Sequence, residues 1–231
     1  MAWLSKRLAA VAGHVPQGAV VADIGTDHAY LAIHLIGEGR ASRVVAGDVN
    51  RGPYEAAQAN VRSRGLEQSI DLRIGDGLKV LKPGEVDVVV LAGLGGCTIC
   101  NILDDGRPVL ERLKRLVIQP MRDTALVRRW LLENGWRLAD EEMVCEDGHY
   151  YVVIVAEPGA EIIKDDFLLE VGPRLLEKRD PVLHDFLVQR LSEIRAVLEE
   201  ITKARGDGAG CKAGRLRQKA EKIKEVLEQW R

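Results

Sequence analysis

The stretch Ala19-Val20-Val21-Ala22-Asp23-Ile24-Gly25-Thr26-Asp27-His28 decides how the rest of the chain is read. Four apolar residues run straight into an acid, and a glycine follows two positions later. An unbroken apolar run of this kind suits a strand covered on both faces. The glycine suits a tight turn out of its carboxyl end. Residues 28–37 then take helical spacing.

Working outward, the same unit recurs. Arg43–Asp48 is a second short run ending in an acid, and residues 53–64 are helical, with Pro53 in the first turn. Ile70–Ile74 is a third strand, followed by Gly75-Asp76-Gly77. Val86–Ala92 is a fourth, after which Gly93-Leu94-Gly95-Gly96 opens a helix. Arg115–Gln119 is a fifth, with a helix over 125–134 closed by Gly135. Residues 136–146 and 150–157 are two further strands joined by the hairpin signal Asp147-Gly148. Apolar residues at 3, 4, 8, 11 and 12 predict a leading helix over 3–13. Strands alternating with helices predict a doubly wound, Rossmann-like α/β fold. Seven strands with the hairpin last is the pattern of class I methyltransferases.

Past Pro158 no strand pattern remains. Val182, Phe186, Leu187, Leu191, Ile194, Leu198 and Ile201 recur every three or four residues along one helical face. Gly206–Gly210 interrupts it, and Leu216, Ala220, Ile223, Val226 and Leu227 mark a second helix. The expectation is a coiled-coil hairpin over 161–231 behind a catalytic domain over 1–160.

Ligands of open α/β sheets bind at the carboxyl ends of the strands. Asp23, Asp48 and Asp76 stand at three such ends. Gly25 lets a cofactor approach the backbone. Asp48 is placed to accept ribose hydroxyls, and Asp76 with Gly77 to meet an adenine amine. One such acid alone is usually a helix cap; three in register on successive strands are harder to explain that way. A nicotinamide site would want G-x-G-x-x-G under a pyrophosphate. Here the second glycine is replaced, and Asp27 would repel a pyrophosphate. Carboxylates instead suit a cationic sulfonium, so S-adenosyl-L-methionine is favoured over NAD. Gln119 and Pro120 close strand five, where a polar side chain can reach a base edge. His28 adjoins the first turn. His14, His34, His149 and His184 have no visible partners.

Of 231 residues, 46% are hydrophobic and 29% charged, with a net charge of −2, so any nucleic-acid surface must be local. Eight basic residues between Lys203 and Lys224 supply one: Lys203, Arg205, Lys212, Arg215, Arg217, Lys219, Lys222 and Lys224, against Asp207 and Glu221. Lys6, Arg7, Arg122, Arg128 and Arg129 are expected to extend it. No apolar run reaches the roughly 20 residues of a membrane span, and no signal sequence is apparent, so a cytoplasmic location is expected. Cys97-x-x-Cys100 lacks a second ligand pair, so no metal site is expected and both read as packing residues.

Taken together, these residues resemble the bacterial tRNA (adenine-22 N1)-methyltransferase family, the TrmK family, over nearly the whole chain. The resemblance rests on Leu4-Ser5-Lys6-Arg7-Leu8, Asp23-Ile24-Gly25-Thr26-Asp27-His28-Ala29-Tyr30-Leu31 and Gly52-Pro53. It continues through Gly75-Asp76-Gly77-Leu78, Ala92-Gly93-Leu94-Gly95-Gly96, Ile118-Gln119-Pro120, Glu146-Asp147-Gly148 and Val171-Gly172-Pro173. The family commonly has Asn after Gln-Pro, where this chain has Met121.

The resemblance implies methyl transfer from S-adenosyl-L-methionine to N1 of an adenine in tRNA. It implies a cofactor set of Asp23, Gly25, Thr26, Asp27, His28, Asp48 and Val49, continued by Asp76, Gly77, Ala92, Gly93, Leu94 and Gly95. It implies catalytic roles for Asp27, Gln119 and Pro120, and tRNA contacts by Lys203, Arg205, Lys212, Arg215, Arg217 and Lys219. A monomer or weak homodimer is expected. The alternatives are a methyltransferase of a small molecule or protein, and a non-catalytic module that binds cofactor and RNA.

Overall fold

The computed structural model describes residues 4–203 and 209–230, with side chains left undescribed at 202–212. The chain divides into two compact units, Met1–Lys164 and Asp165–Arg231.

The first unit is built on one seven-stranded sheet: β1 (Ala19–Ile24), β2 (Ala41–Asp48), β3 (Ile70–Ile74), β4 (Val88–Gly95), β5 (Arg115–Arg122), β6 (Trp136–Glu146) and β7 (His149–Pro158). The strand order is β3-β2-β1-β4-β5-β7-β6. β1 to β5 pair in parallel, and β7 runs antiparallel to both neighbours. The β6–β7 turn has positive φ at both Asp147 (50°) and Gly148 (76°), the primed geometry that matches strand twist.

Side chains alternate between two cores. Ala22 and Ile24 of β1, Val89 and Leu91 of β4, and Leu116 and Ile118 of β5 face one side. They pack there with Ile99 and Leu103 of α4 (Gly96–Asp105) and Val127 and Leu131 of α6 (Thr124–Glu133). Between these helices lies the short α5 (Arg107–Leu110). Val21, Val88, Val90 and Val117 face the other side, against α1 (Lys6–Gly13), α2 (Tyr30–Gly37) and α3 (Arg51–Arg62). The apolar runs are continuous because both faces are covered.

Four sequence expectations need correction. The segment 93–95 is strand: β4 runs to Gly95, and α4 opens only at Gly96. Arg128 is fully buried against Glu141, also fully buried, at 2.6 Å, so it is not a surface cation. His14 has partners, lying 2.9 Å from Glu142 and 3.9 Å from Asp140. Cys100 packs in the core, where burial pushes its thiol up to about 11, whereas Cys97 is exposed.

The second unit comprises α7 (Asp166–Val171), α8 (Pro173–Glu177), α9 (Pro181–Lys203) and α10 (Ala209–Gln229). Leu183, Leu187, Leu191 and Ile194 of α9 are buried, as are Ala213 and Ile223 of α10. The helix pair thus hides one apolar stripe from each member.

Candidate active site

The parallel strands end in register. Arg73, Gly47, Ile24, Leu91 and Ile118 form one row across β3, β2, β1, β4 and β5. One residue further on stand Ile74, Asp48, Gly25, Ala92 and Gln119. The chain reverses its winding between β1 and β4, so a crevice opens there. A cavity of about 250 Å³ occupies it, lined by Arg7, Leu8, residues 25–28 with Asp23, Tyr30, Leu31, Ala92 and Gly93. A second cavity of about 290 Å³, lined by Arg107, Trp130 and Trp136, contains none of the predicted site residues.

Asp23 is buried at the cavity floor. Loss of hydration raises its carboxyl to about 6; the Thr26 hydroxyl opposes this and repulsion from Asp48 adds to it. Gly25 has φ 81°, and a Cβ there would lie 3.4 Å from the Leu94 methyls. The Gly25 and Thr26 amides both donate to the Gly47 carbonyl, at 2.8 and 3.1 Å, which pins the turn to β2. Asp27 is exposed at the mouth, 3.5 Å from His28, whose ring stacks on Tyr30 at 5.2 Å.

At the end of β2, one Asp48 oxygen accepts the Asn50 amide at 2.7 Å. The other makes no hydrogen bond among the described residues. Val49 and Ile74 beside it are exposed apolar side chains. Asp76 is bound by Lys79 at 2.7 Å, and Lys79 also holds Asp105 at 2.7 Å. Gly77 lies under α4, where a Cβ would come 3.1 Å from Ile102.

The β4–β5 junction is a bulge. Register shifts on both sides of Leu94, which pairs with Pro120. Proline has no amide hydrogen to give the ladder, so the break falls where the ladder has least to lose. Gly93 takes φ 80°. Its freed amide donates to Gln119 Oε1 at 3.1 Å. Gln119 is fully buried, and its Nε2 donates to the Pro120 carbonyl at 2.9 Å. The Gln119 amide therefore organises the bulge instead of presenting itself to a base edge.

Arg7 belongs to this site although sequence reasoning placed it on the general surface. It donates to the same Gln119 oxygen across 112 residues of sequence. No spacing rule joins two positions so far apart.

The expected RNA contacts separate into groups. Arg215 and Arg217 are exposed on α10. Lys219 is paired with Glu170, and Lys222 lies 3.0 Å from Asp165, acids that belong to or precede α7 and lie far from these lysines in sequence. Lys203, Arg205 and Lys212 lie outside the residues whose side chains are described. Among the described residues no group of three or more His, Cys, Asp or Glu could hold a metal ion, and no helix is long and apolar enough to cross a membrane.

The strand order, together with the carboxylates at the ends of β1, β2 and β3, defines a class I methyltransferase. A methyltransferase-domain family model matches residues 4–154. The tRNA (adenine(22)-N(1))-methyltransferase of Bacillus subtilis (strain 168) is 37% identical over 231 residues, 97% of each chain. The crystal structure of the B. subtilis m1A22 tRNA methyltransferase TrmK is similar at TM-score 0.86 and 36% identity, over 98% of this chain and 100% of that one. A Streptococcus pneumoniae protein solved in complex with S-adenosyl-L-methionine matches at TM-score 0.87 and 34% identity, over 97% and 100%. The chain belongs to the family of these tRNA (adenine-22 N1)-methyltransferases.

Proposed function

We propose that this protein transfers a methyl group from S-adenosyl-L-methionine to N1 of adenine 22 in tRNA. The observation that carries the reading is the crevice between β1 and β4, lined by Asp23 and Asp27, with Asp48 at the end of neighbouring β2 and a glycine bulge at its edge.

The residues fit the cofactor. Asp23 and Asp27 offer negative charge to its ammonium and sulfonium. The open oxygen of Asp48 suits a ribose hydroxyl, and exposed Val49 and Ile74 suit the faces of an adenine. Asp76 and Gly77 border that end. When bound, the cofactor supplies an electrophilic methyl on sulfur.

N1 of adenine already carries a lone pair, so no strong base is required. The protein's task is to hold N1 in line with the methyl and to balance the cationic product. Exposed Asp27 is available for the second task. Gln119 and Pro120 serve the first indirectly, by fixing the Gly93–Gly95 backbone. The adenine must leave its stack, at a cost of a few kcal/mol, which phosphate contacts offset. Arg215 and Arg217 support such contacts; Lys203, Arg205 and Lys212 belong to the same proposed surface.

On this reading the enzyme works in the cytoplasm with its tRNA, as a monomer or weak homodimer, a point sedimentation would decide. Incubation of unmodified bulk tRNA with labelled cofactor, followed by nucleoside analysis, should yield 1-methyladenosine. Label in another nucleoside, or none, would sink the assignment.

A further inference from the structure

Of the three strand-end acids, Asp76 is held differently from the other two. Asp23 is bonded by the Thr26 hydroxyl, and Asp48 accepts the Asn50 amide. Asp76 stands at the N-cap of the short 3-10 helix Gly77–Val80, where an aspartate ordinarily accepts the amides of its own turn. Its side chain accepts none of them; the turn is closed by the Lys79 amide, which donates to the Asp76 carbonyl at 3.1 Å. The carboxylate instead gives Oδ2 to Lys79 Nζ at 2.7 Å. Its Oδ1 makes no hydrogen bond among the described residues.

Lys79 is anchored in turn. Its ammonium lies 2.7 Å from Asp105, the last residue of α4. An acid at a helix C-terminus opposes the helix dipole, so Asp105 gains from a cation there. The adjacent Asp104 is already engaged by the Trp130 indole and by Arg107. α4 itself is fixed to the sheet through Ile99 and Leu103. A chain of contacts thus runs from the core through Asp105 and Lys79 to one oxygen of Asp76. All three charged groups are exposed, so the ion pairs contribute little to stability. What they fix is a direction: with Oδ2 held, the carboxylate neither folds back on its turn nor swings into water.

The exocyclic amine of the proposed cofactor's adenine is a donor that needs an acceptor, and the open oxygen of Asp76 supplies one. We propose that Lys79 is a positioning residue for cofactor selection: backed by Asp105, it holds Asp76 so that the free oxygen reads the 6-amino group of adenine. The inference rests on the cofactor reading above.

The test is calorimetric binding of S-adenosylhomocysteine and of S-inosylhomocysteine, in which a carbonyl oxygen replaces the amine. The native protein should prefer the first by about ten- to hundredfold, because with the second the carboxylate loses its donor and meets an acceptor. Lys79→Met should cut that preference by about three- to tenfold, the affinity that preorganising one side chain supplies, while binding of the inosine analogue stays within about twofold. Lys79→Arg should keep most of the preference, and Asp105→Asn, one contact further away, should lose part of it. Lys82→Met, which removes another exposed lysine charge farther along the chain, should change nothing.

An unchanged preference in Lys79→Met would overturn the proposal, as would a rise, which would make Lys79 a competitor of the amine. Equal weakening of both ligands would make Lys79 a mere support of the turn, and an equal loss in Lys82→Met would reduce the effect to net charge; either overturns it. A native protein that binds both ligands equally would sink this inference and leave the cofactor reading intact. Failure to bind S-adenosylhomocysteine at all would overturn the cofactor reading itself, and this inference with it.

Discussion

Gln119 and Gly93 meet at the carboxyl end of the sheet, where the Gly93 amide donates to the Gln119 side-chain oxygen at 3.1 Å. Backbone amides of parallel strands normally bond to the neighbouring backbone. Here Pro120 interrupts the β4–β5 ladder, and a side chain substitutes for it. The bulge that edges the crevice therefore depends on one buried amide.

Gln119→Ala should consequently affect both fold and function. It leaves the Gly93 amide and Arg7 without their acceptor, at a cost of about 1–3 kcal/mol. Thermal melts should show the loss, and methyl transfer should fall at least tenfold at a temperature where the variant is folded. Unchanged transfer would remove Gln119 from the site.

Gly25→Ala should destabilise the protein through its backbone. Gly25 has φ 81°, and an alanine in that region costs about 1–2 kcal/mol. The Leu94 methyls at 3.4 Å are in ordinary contact distance, so trimming them should not help. Denaturant midpoints of Gly25→Ala and of Gly25→Ala with Leu94→Ala decide this: full rescue by the second change would place the cost in the contact instead.

Asp23 carries a pH signature. Burial raises its carboxyl from 3.8 to about 6, so the empty fold favours the protonated form. The associated stability is complete below about pH 4 and is lost as pH rises through 6. A ligand ammonium beside Asp23 favours the carboxylate, so S-adenosylhomocysteine, which carries one, should bind more weakly as pH falls below 6, and binding near pH 5.5 should release protons. Asp23→Asn should raise the melting point of the empty protein at pH 8, by about 1–3 kcal/mol of stability. It should also flatten the pH dependence of binding. Calorimetry in buffers of different ionisation enthalpy measures the proton release directly.

Arg128 and Glu141 test a different point. Both are fully buried and lie 2.6 Å apart, so removing one partner strands a charge, at about 3–5 kcal/mol. Arg128→Met alone should be far more damaging than Arg128→Met with Glu141→Leu. Neither should alter tRNA affinity at a temperature where both are folded. A selective loss of tRNA binding would return Arg128 to the nucleic-acid surface.

Much of this architecture is legible in the sequence because strand period and strand-end acids are local signals. Asp23, Asp48 and Asp76 each follow an apolar run, and the sheet brings their strands side by side. What stayed hidden is non-local. Arg7 reaches Gln119 only because α1 packs near β5, and Arg128 is turned inward because Val127 and Leu131 set the buried face of α6. Glu141 accepts it from a neighbouring strand. The Gly93–Gly95 segment reads as the opening of a helix because its glycines suggest that the strand has ended, yet parallel pairing to β5 carries it as a bulged strand. Lys219 and Lys222 looked unopposed because Glu170 and Asp165 lie some 50 residues upstream.

Adenine-22 specificity is tested by methyl transfer to two tRNA transcripts differing only at position 22, one with adenine and one with guanine. 1-Methyladenosine is expected in the first and no label above background in the second. Equal labelling of both, or methylation at another atom of adenine 22, would contradict it.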